Sequence, residues 1–337
     1  MRIAYLLAGA DLGGGTKVVL QHATLLAAAG HDVRVVGRGP LPGGFGYQGV
    51  YLDADAGATN LPTQDLVVAT FWTTLAPAID LALGPVAHFC QGYEGEIPHF
   101  AAQREAIEAA YSLPLPTFAV TPRLVSLVEK RFGRPARLVP PPADRSLAPR
   151  PRFGPRSRPW IALFGVFEAE VKGIPIGLEA IARLRERGLA ARALRVSVFP
   201  LSQEERSRLE PNRYRESIPP RRALVELGRS DLLLLPSRVE EGFGLPLLEA
   251  MVLGVPAVVS RTPGLEFVSG GAGARLAPAD DAGAFADAAH ELLRSRSAWR
   301  EQRRRGFAAA RRFDPGVVAE QLETAVRWAA CRERSAP

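Results

Sequence analysis

Cysteine and long hydrophobic runs are both scarce in this sequence. Only two cysteines, Cys90 and Cys331, occur in 337 residues, which excludes a disulfide framework and a zinc site and favours a reducing cytoplasm. No stretch approaches the roughly 18 consecutive apolar residues of a membrane-spanning helix. The first residues, MRIAYLLAG, have no basic leader or small-residue cleavage site, so we expect a first strand there rather than a signal peptide.

Lysine is also scarce, and the positive charge is unevenly distributed. Only three lysines accompany 39 arginines, an imbalance more typical of codon bias than of chemistry. Residues 1–150 carry 12 basic and 12 acidic side chains, whereas residues 151–337 carry 30 and 23, so the net charge of +7 lies in the second part. Either that part binds an anionic partner such as phosphate, nucleic acid or a membrane surface, or its arginine-rich helices present solvated faces.

The composition and the hydrophobic pattern together indicate two α/β domains. Apolar residues make up 47% and charged residues 23%, as in soluble globular proteins, and 337 residues suggest about two domains. Eight prolines within 135–159 predict a stiff, extended connection, because proline fixes φ and lacks a donor. On both sides of it, apolar runs alternate with helical patterns, which favours βαβ units and doubly wound parallel sheets.

The pattern predicts individual elements on each side of the connection. Strands are predicted over 2–8, 32–37, 48–52, 65–69, 85–89, 116–121, 160–165, 194–199, 231–237 and 255–260. Helices are predicted over 16–30, 74–83, 101–111, 122–132, 174–188 and 244–254, and in three segments of the tail. Ligands of such sheets bind at the carboxyl ends of the strands.

Residues 235–266 hold the densest set of side chains with chemical potential. A strand that ends near Ser237 is followed by an acidic, glycine-rich loop and a helix that starts near Gly244. Gly242 and Gly244 let the backbone approach a ligand closely, and the helix start offers free N–H groups to an anion. Glu241 on the loop and Glu249 in the helix are positioned to bind different parts of one elongated ligand. The alternative is a helix cap beside an ordinary surface glutamate.

This segment resembles the signature of glycosyltransferase family 4, retaining enzymes with the two-domain GT-B fold. The match is Glu-x7-Glu, formed by Glu241 and Glu249, with GFGLP inside it. The residues that follow the motif also match: Ala250, Met251, Gly254, Pro256 and Glu266.

The resemblance implies an α/β, GT-B-like architecture in which two Rossmann-like domains face a central cleft. We expect an acceptor-side domain over 1–140, a proline-rich linker over 141–158, and a nucleotide-sugar-binding domain over 159–314. A helix over 315–331 is expected to pack back on the first domain.

The resemblance also implies the residues that bind the donor. Glu241 is assigned to the hydroxyl groups of the donor sugar and Glu249 to the ribose of the nucleotide. Lys172, in a Lys-Gly pair after the first strand of the second domain, faces the diphosphate and stabilises charge on the leaving group. The remaining donor contacts are assigned to Gly242, Phe243, Gly244, Leu245, Gly14 and Gly15.

One departure from the family concerns the diphosphate. Family members usually place an arginine shortly before the Lys-Gly pair, but this sequence has Val166 or Phe167 there, and Glu168 and Glu170 add negative charge. Either Arg238 or another arginine takes over this role, or phosphate binding is weaker.

The segment HFCQGYEGEIPHF, residues 88–100, provides the candidates on the acceptor side. Many family members have a histidine here, close to the reactive carbon of the sugar. Gln91 takes that place in this sequence, or His88 if the register is shifted. His88, Tyr93 and Glu94 are assigned to the acceptor side. The QGYE run resembles a rhamnosyltransferase-like subgroup.

Two further patterns are interpreted as structural. Asp53-Ala54-Asp55 has the Asp-x-Asp form of a metal motif but lies in a turn-like stretch, so we expect neither a metal nor another cofactor. The basic run around Trp299, Phe307 and Phe313 has helical spacing, which favours a core-facing stripe over a nucleic-acid or membrane surface.

We therefore expect a retaining hexosyl or deoxyhexosyl transferase, as in cell-surface polysaccharide, glycolipid or natural-product glycosylation. Its partners are a nucleotide-sugar donor and a sugar, lipid-linked or small-molecule acceptor, with no nucleic acid. The expected location is the cytoplasm, with peripheral membrane contact left open. The alternatives are a nucleotide-sugar epimerase on the same fold and a non-catalytic nucleotide-sugar-binding partner protein.

Overall fold

The computed structural model describes residues 1–57, 61–238 and 241–332, which form two units, each built around one parallel β-sheet. The first unit comprises Met1–Pro142 together with 313–332, and the second comprises Ala143–Arg312. Residues 58–60 of the turn-like stretch after Asp55, and residues 239–240 of the acidic loop, lie outside the described residues.

The first unit has a seven-stranded parallel sheet of order β3-β2-β1-β4-β5-β6-β7. Its strands are β1 (Arg2–Leu6), β2 (Asp32–Gly37), β3 (Val50–Asp53), β4 (Leu66–Ala69), β5 (Val86–Cys90), β6 (Thr117–Ala119) and β7 (Ala136–Leu138). Its helices are α1 (Gly14–Ala28), α2 (Trp72–Asp80), α3 (Arg104–Tyr111) and α4 (Pro122–Phe132), with short 3-10 turns over Glu94–Glu96 and Pro98–Gln103. The last helix of the chain, α12 (Pro315–Arg332), packs against α1, β4 and β5 of this unit.

The second unit has a six-stranded parallel sheet of order β10-β9-β8-β11-β12-β13. Its strands are β8 (Trp160–Phe164), β9 (Arg192–Ser197), β10 (Arg213–Glu216), β11 (Leu232–Leu235), β12 (Ala257–Ser260) and β13 (Arg275–Ala277). Its helices are α5 (Ile174–Glu186), α6 (Gln203–Arg208), α7 (Pro220–Gly228), α8 (Leu245–Leu253), α9 (Pro263–Ser269), α10 (Ala282–Arg294) and α11 (Arg296–Ala310), with 3-10 turns over Glu170–Lys172 and Arg311–Phe313.

The same strand order occurs in both units and creates a switch point in each sheet. Strand order runs outward from the first strand in one direction and then reverses, which is the doubly wound Rossmann arrangement. The switch lies between β1 and β4 in the first unit and between β8 and β11 in the second. Because loops leave the carboxyl ends of these strands in opposite directions, each switch point opens a crevice for a ligand.

The predicted α/β class is confirmed, and the elements that the pattern missed are short or polar. Five of them occur in the second unit: α6, β10, α7, α9 and β13. Strand β10 has the sequence RYRE at a sheet edge, where one face meets solvent and the apolar signal is lost. Strand β7 lies within the proline-rich segment, also at an edge, where a neighbouring proline removes no ladder bond.

Residues 143–158 of the predicted linker pack with the second unit. Arg152 and Arg156 of this segment form ion pairs with Asp231, a fully buried residue that directly precedes β11. Asp231 also accepts hydrogen bonds from the main-chain N–H groups of Arg156 at 3.0 Å and Trp160 at 2.8 Å. One buried carboxylate therefore ties the proline-rich segment to the base of the sheet.

Candidate active site

The switch point of the second sheet brings together two loops that are far apart in sequence. One follows β8 and contains Lys172, and the other follows β11 and contains Glu241. Lys172 Nζ donates a hydrogen bond to Glu241 Oε2 at 2.6 Å, and Ser237 Oγ donates to the same oxygen at 3.2 Å. The side chains remain 33% exposed for Lys172 and 14% for Glu241, so a ligand can reach both groups.

The close approach of these loops depends on Gly173. Its φ is +58°, in the left-handed region, and it caps the amino terminus of α5. A Cβ atom at this position would lie 1.9 Å from the carbonyl oxygen of Pro236, which directly follows β11. Arg238 N also donates to the carbonyl of Val171 at 2.9 Å, which joins the two loops through their backbones. The glycine of the Lys-Gly pair is therefore required by packing, whatever the role of the lysine.

Arg195 supports the loop after β8 from inside the unit, and the sequence analysis did not single it out. This β9 residue is fully buried and donates to the carbonyls of Leu163 at 2.9 Å and Gly165 at 3.0 Å. Its charge is balanced by Glu205, which is equally buried. An arginine inside the apolar run LRVSVF is the signal that would have identified it, because a buried charge needs a dedicated partner.

At the position where the family usually has a diphosphate-binding arginine, this chain has Val166 or Phe167, and neither side chain is charged. Phe167 is buried, and Val166 beside it is half-buried. Arg238 lies in the opposite loop, but its guanidinium is 3.8 Å from Glu170 and 3.4 Å from Asp280. Both carboxylates are exposed, so these are weak surface pairs, whereas Lys172 contacts Glu241 directly.

The glycine-rich loop ends at the start of α8. Gly244 has a φ of +82° and is the N-cap residue, and a Cβ there would lie 2.4 Å from Leu265 Cδ2. Phe243 is buried. Gly242 and Leu245 flank it and are half-buried, and Glu249 lies half-buried in the second turn of α8.

In the first unit, the loops after β1 and β5 meet beside the amino terminus of α1. Asp11 Oδ1 accepts hydrogen bonds from Gly13 N and Thr16 Oγ1, both at 2.9 Å, and so holds the glycine-rich turn. A Cβ atom at Gly15 would lie 3.5 Å from Gln91 Nε2. The helix start at Gly14 and Gly15 therefore lies close to the Gln91 amide within the first unit.

The three residues predicted on the acceptor side are buried. His88 lies within β5, is 1% exposed and packs edge-on against Tyr111 at 5.1 Å, so its placement is that of a core residue. Tyr93 is 1% exposed and its ring packs against Tyr111 and Phe132. Neither side chain reaches a surface that an acceptor can contact, because the aromatic cluster fills the space around both.

Glu94 belongs to the same cluster and is 8% exposed. Burial raises the pKa of its carboxyl to about 7, an effect only partly offset by hydrogen bonds from its own backbone and from Tyr111. The Tyr111 hydroxyl lies 2.9 Å from Glu94 Oε2 and 2.7 Å from the carbonyl of Gly92. Tyrosine has one hydroxyl proton, so a protonated Glu94 can donate to Tyr111 while Tyr111 donates to Gly92. This chain of hydrogen bonds leads to the loop that carries Gln91.

Glu94→Gln should weaken the pH dependence of stability. The folded state holds the Glu94 proton more tightly than the unfolded chain, so this group's contribution is greatest below about 4.5 and is lost as the pH rises through about 7. The loss amounts to about 3 kcal/mol, and glutamine, which stays neutral, should not undergo it. Chemical unfolding across this pH range measures the effect, with the exposed α3 residue Glu105→Gln as the control. An unchanged pH slope in Glu94→Gln would contradict the assignment.

The two patterns interpreted as structural have structural partners. Asp53 Oδ1 accepts from the N–H groups of Gly39 at 3.0 Å and Asp55 at 2.9 Å, and Asp55 pairs with Arg38. Within residues 1–57, 61–238 and 241–332, no group of three or more His, Cys, Asp or Glu side chains is arranged to hold a metal ion. Trp299 is fully buried and donates from Nε1 to the carbonyl of Asp231, which confirms the predicted core-facing stripe. None of the helices in the described part of the chain is both long and apolar enough to cross a membrane.

Comparison with known proteins identifies the unit that contains Lys172 and Glu241. Residues 158–295 match the family described as glycosyl transferases group 1. Over these residues, the second unit is similar to the group 1 glycosyl transferases. This match confirms the family resemblance carried by the Glu241 to Glu249 motif, and Lys172 and Glu241 both lie within the matched residues.

Curated relatives cover part of the chain. It is 28% identical over 184 residues, 52% of its length, to a phosphatidyl-myo-inositol mannosyltransferase from Mycobacterium leprae, of which 48% is covered. It is 30% identical over 137 residues, 37% of its length, to the putative colanic acid biosynthesis glycosyltransferase WcaL of Salmonella typhimurium, of which 34% is covered. The chain thus spans about half and about a third of the length of these relatives.

Solved structures are similar over nearly the whole chain. Sucrose-phosphate synthase from Thermosynechococcus elongatus has a TM-score of 0.77 at 19% identity, covering 98% of this chain and 100% of that one. HepE from Anabaena, solved with UDP and glucose, has a TM-score of 0.76 at 17% identity, covering 97% and 99%. Together with the two Rossmann-like sheets, this likeness confirms the expected GT-B fold.

Proposed function

We propose that this protein is a retaining glycosyltransferase that transfers a hexosyl or deoxyhexosyl group from a nucleoside-diphosphate sugar to an acceptor hydroxyl. The observation that carries the proposal is the Lys172–Glu241 contact at the switch point of the second sheet, within the residues that match the family. The names of the relatives support it: one is a mannosyltransferase, and another is a glycosyltransferase of polysaccharide biosynthesis. HepE, which has a similar fold, was solved with UDP and glucose.

In this proposal, Lys172 and Glu241 exchange their mutual contact for contacts with the donor. The ammonium group neutralises the developing charge of the departing diphosphate, and the carboxylate accepts hydrogen bonds from the sugar hydroxyls. The bond between the anomeric carbon and the diphosphate oxygen breaks, and the acceptor oxygen bonds to that carbon on the same face. The departing phosphate takes the proton of the acceptor hydroxyl, so no enzymic nucleophile is needed. The N–H groups at the start of α8 hold the diphosphate, and Glu249 accepts from the ribose.

The proposal extends to the partners of the reaction. The acceptor is a sugar, a lipid-linked sugar or a small molecule, and it binds on the side of the first unit, near Gln91. No metal or further cofactor takes part, because Lys172 and the start of α8 supply the positive potential at the diphosphate. The protein works in the cytoplasm, where nucleotide sugars are the donors.

A panel of nucleotides tests the donor site. We expect one of UDP, GDP, dTDP, ADP and CMP to stabilise the protein by about 2.7 kcal/mol at about 100 times its Kd, a shift of a few degrees in Tm. Glu249→Ala should weaken the affinity for that nucleotide about tenfold, the cost of losing one hydrogen bond to a charged group. Glu291→Ala, at an exposed position of α10, is the matched control.

Each alternative function has its own outcome in these measurements. Unchanged affinity of Glu249→Ala for the bare nucleotide would show that its ribose assignment is wrong. A flat nucleotide panel would contradict the donor site and favour a non-catalytic binding partner. Release of an epimer from the donor alone, without acceptor, would favour a nucleotide-sugar epimerase.

A further inference from the structure

A cavity of about 310 Å³ lies at the amino-terminal ends of the strands in the second sheet. Trp160 at the start of β8 and Arg213 at the start of β10 form part of its wall. The residues after α7 and the proline-rich segment complete it. The full lining is Arg150, Arg156, Trp160, Leu194, Arg213, Glu226, Arg229 and Ser230. Four of these eight side chains are arginines and one is a carboxylate.

The carboxylates near the cavity are already engaged. Glu226 accepts from Arg213 at 3.1 Å and from Arg215 at 3.0 Å. Although burial alone would raise the pKa of Glu226, these two guanidinium groups hold it below its ordinary value. Asp231 is likewise shared by Arg152 and Arg156. Each carboxylate therefore balances two arginines.

Arg150 and Arg229 are the members of the lining that have no such partner. Among residues 1–57, 61–238 and 241–332, no carboxylate lies within ion-pair distance of either guanidinium. Like charges that share one small cavity repel one another unless an anion enters. Part of the excess positive charge of the second part of the sequence therefore lies around this cavity.

Two arginine side chains pack against the ring of Trp160 in the cavity wall. The guanidinium carbons of Arg192 and Arg213 lie 4.3 Å and 4.7 Å from the centroid of the Trp160 ring. Two cation–π contacts to one indole hold these arginines in place. They also cover the ring that a nucleotide base would need for stacking, so the recognition available here is of an anionic group.

We propose that this cavity binds a ligand through a phosphate group. A carboxylate has two oxygens and one charge, whereas a phosphate monoester has three terminal oxygens and close to two charges, which suits two unpaired guanidinium forks better. The site is separate from the donor site, because the cavity adjoins the first residue of β8 and Lys172 follows its last. The first and last residues of this five-residue strand are about 13 Å apart.

The test compares the thermal stabilisation by inorganic phosphate with that by chloride at equal ionic strength. The Lys172→Ala variant is included because phosphate also suits a diphosphate site, and it should retain the full effect. In the double variant Arg150→Ala with Arg229→Ala, the apparent Kd for phosphate should rise about tenfold or more, since hydrogen bonds to charged groups are lost. Both residues are exposed, so the variant should fold. The matched control is Arg294→Ala with Arg300→Ala, two exposed arginines outside the cavity lining.

Vesicles of phosphatidylcholine, with and without phosphatidylglycerol, test whether the phosphate group belongs to a free ligand or to a lipid headgroup. Phosphate-specific stabilisation that is lost only in the cavity variant supports a free phosphorylated ligand. Binding to phosphatidylglycerol vesicles that is lost only in that variant, without an effect of free phosphate, assigns the phosphate to a lipid headgroup. Equal behaviour of the cavity and control variants towards both probes would overturn the proposal. The nucleotide panel tests the donor site independently, so the two proposals can fail separately.

Discussion

Replacing Lys172 with alanine should lower kcat by on the order of 10²-fold, as expected when one group that stabilises transition-state charge is lost. The ammonium group lies 2.6 Å from Glu241 at the switch point, while Arg238 lies 3.8 Å from Glu170 and 3.4 Å from Asp280. The loss should appear mainly in kcat, because the negative charge on the diphosphate increases as its bond to the sugar breaks. Initial rates with the nucleotide sugar that the panel identifies will measure it.

Two comparison variants separate this chemical role from a structural one. Lys130→Ala removes an exposed lysine of α4 in the other unit and should leave kcat unchanged. Lys172→Arg keeps the charge but replaces a compact ammonium group with a planar fork, so it should recover only part of the rate. The Lys172–Glu241 pair is partly exposed and contributes about 1 kcal/mol or less to stability, so Lys172→Ala should remain folded. A rate for Lys172→Ala within about twofold of the wild type would show that Lys172 does not stabilise the leaving group.

Replacing Asp231 with asparagine should lower the free energy of unfolding of the second unit by about 3–5 kcal/mol. Asp231 is fully buried, and its two oxygens serve Arg152, Arg156 and the N–H group of Trp160. Asparagine retains one carbonyl oxygen and no charge, so Arg152 in particular would be left without its counter-ion. Breaking a buried pair costs more than its net stabilisation, because the remaining charge stays buried.

Chemical unfolding followed by tryptophan fluorescence measures this effect. Trp160 and Trp299 both contact Asp231 or its backbone, so a background with Trp72→Phe and Trp328→Phe restricts the signal to the second unit. Asp287→Asn is the control, because its carboxylate is 66% exposed and pairs with one surface arginine. It should cost about 1 kcal/mol or less. If both variants unfold at the same denaturant concentration, the proline-rich segment is not anchored through Asp231.

The sequence pattern was sufficient for the elements that carry a clear apolar period. Strand β2 and helix α4 have the predicted bounds, because a β-branched run and an amphipathic helix that ends at Gly133 leave little ambiguity. The polar edge strand β10 and the short helices α6 and α9 were missed, because their residues have no strong period of their own. Their formation depends on the neighbours against which they pack.

For the candidate site too, some features could be predicted from the sequence and others depend on the tertiary structure. The sequence by itself determined the family motif, the alternation of strands and helices, and therefore the loops that carry Lys172, Glu241 and Gln91. Local spacing cannot reveal that Lys172 and Glu241, separated by 69 residues, share a hydrogen bond. That contact depends on the order in which β8 and β11 pair, and on a glycine that lets their loops touch.

Burial was likewise decided by the tertiary structure alone. His88 lies near the end of a strand, and Tyr93 and Glu94 follow that strand, so their sequence positions suit an acceptor site. Packing around Tyr111 nevertheless places all three inside the unit. The arginine cavity also has no sequence signature, since its lining comes from the proline-rich segment, three strand starts and the end of α7. The sequence shows which residues are charged. The partners of a charged side chain and its exposure depend on chain segments that come together only in the folded protein.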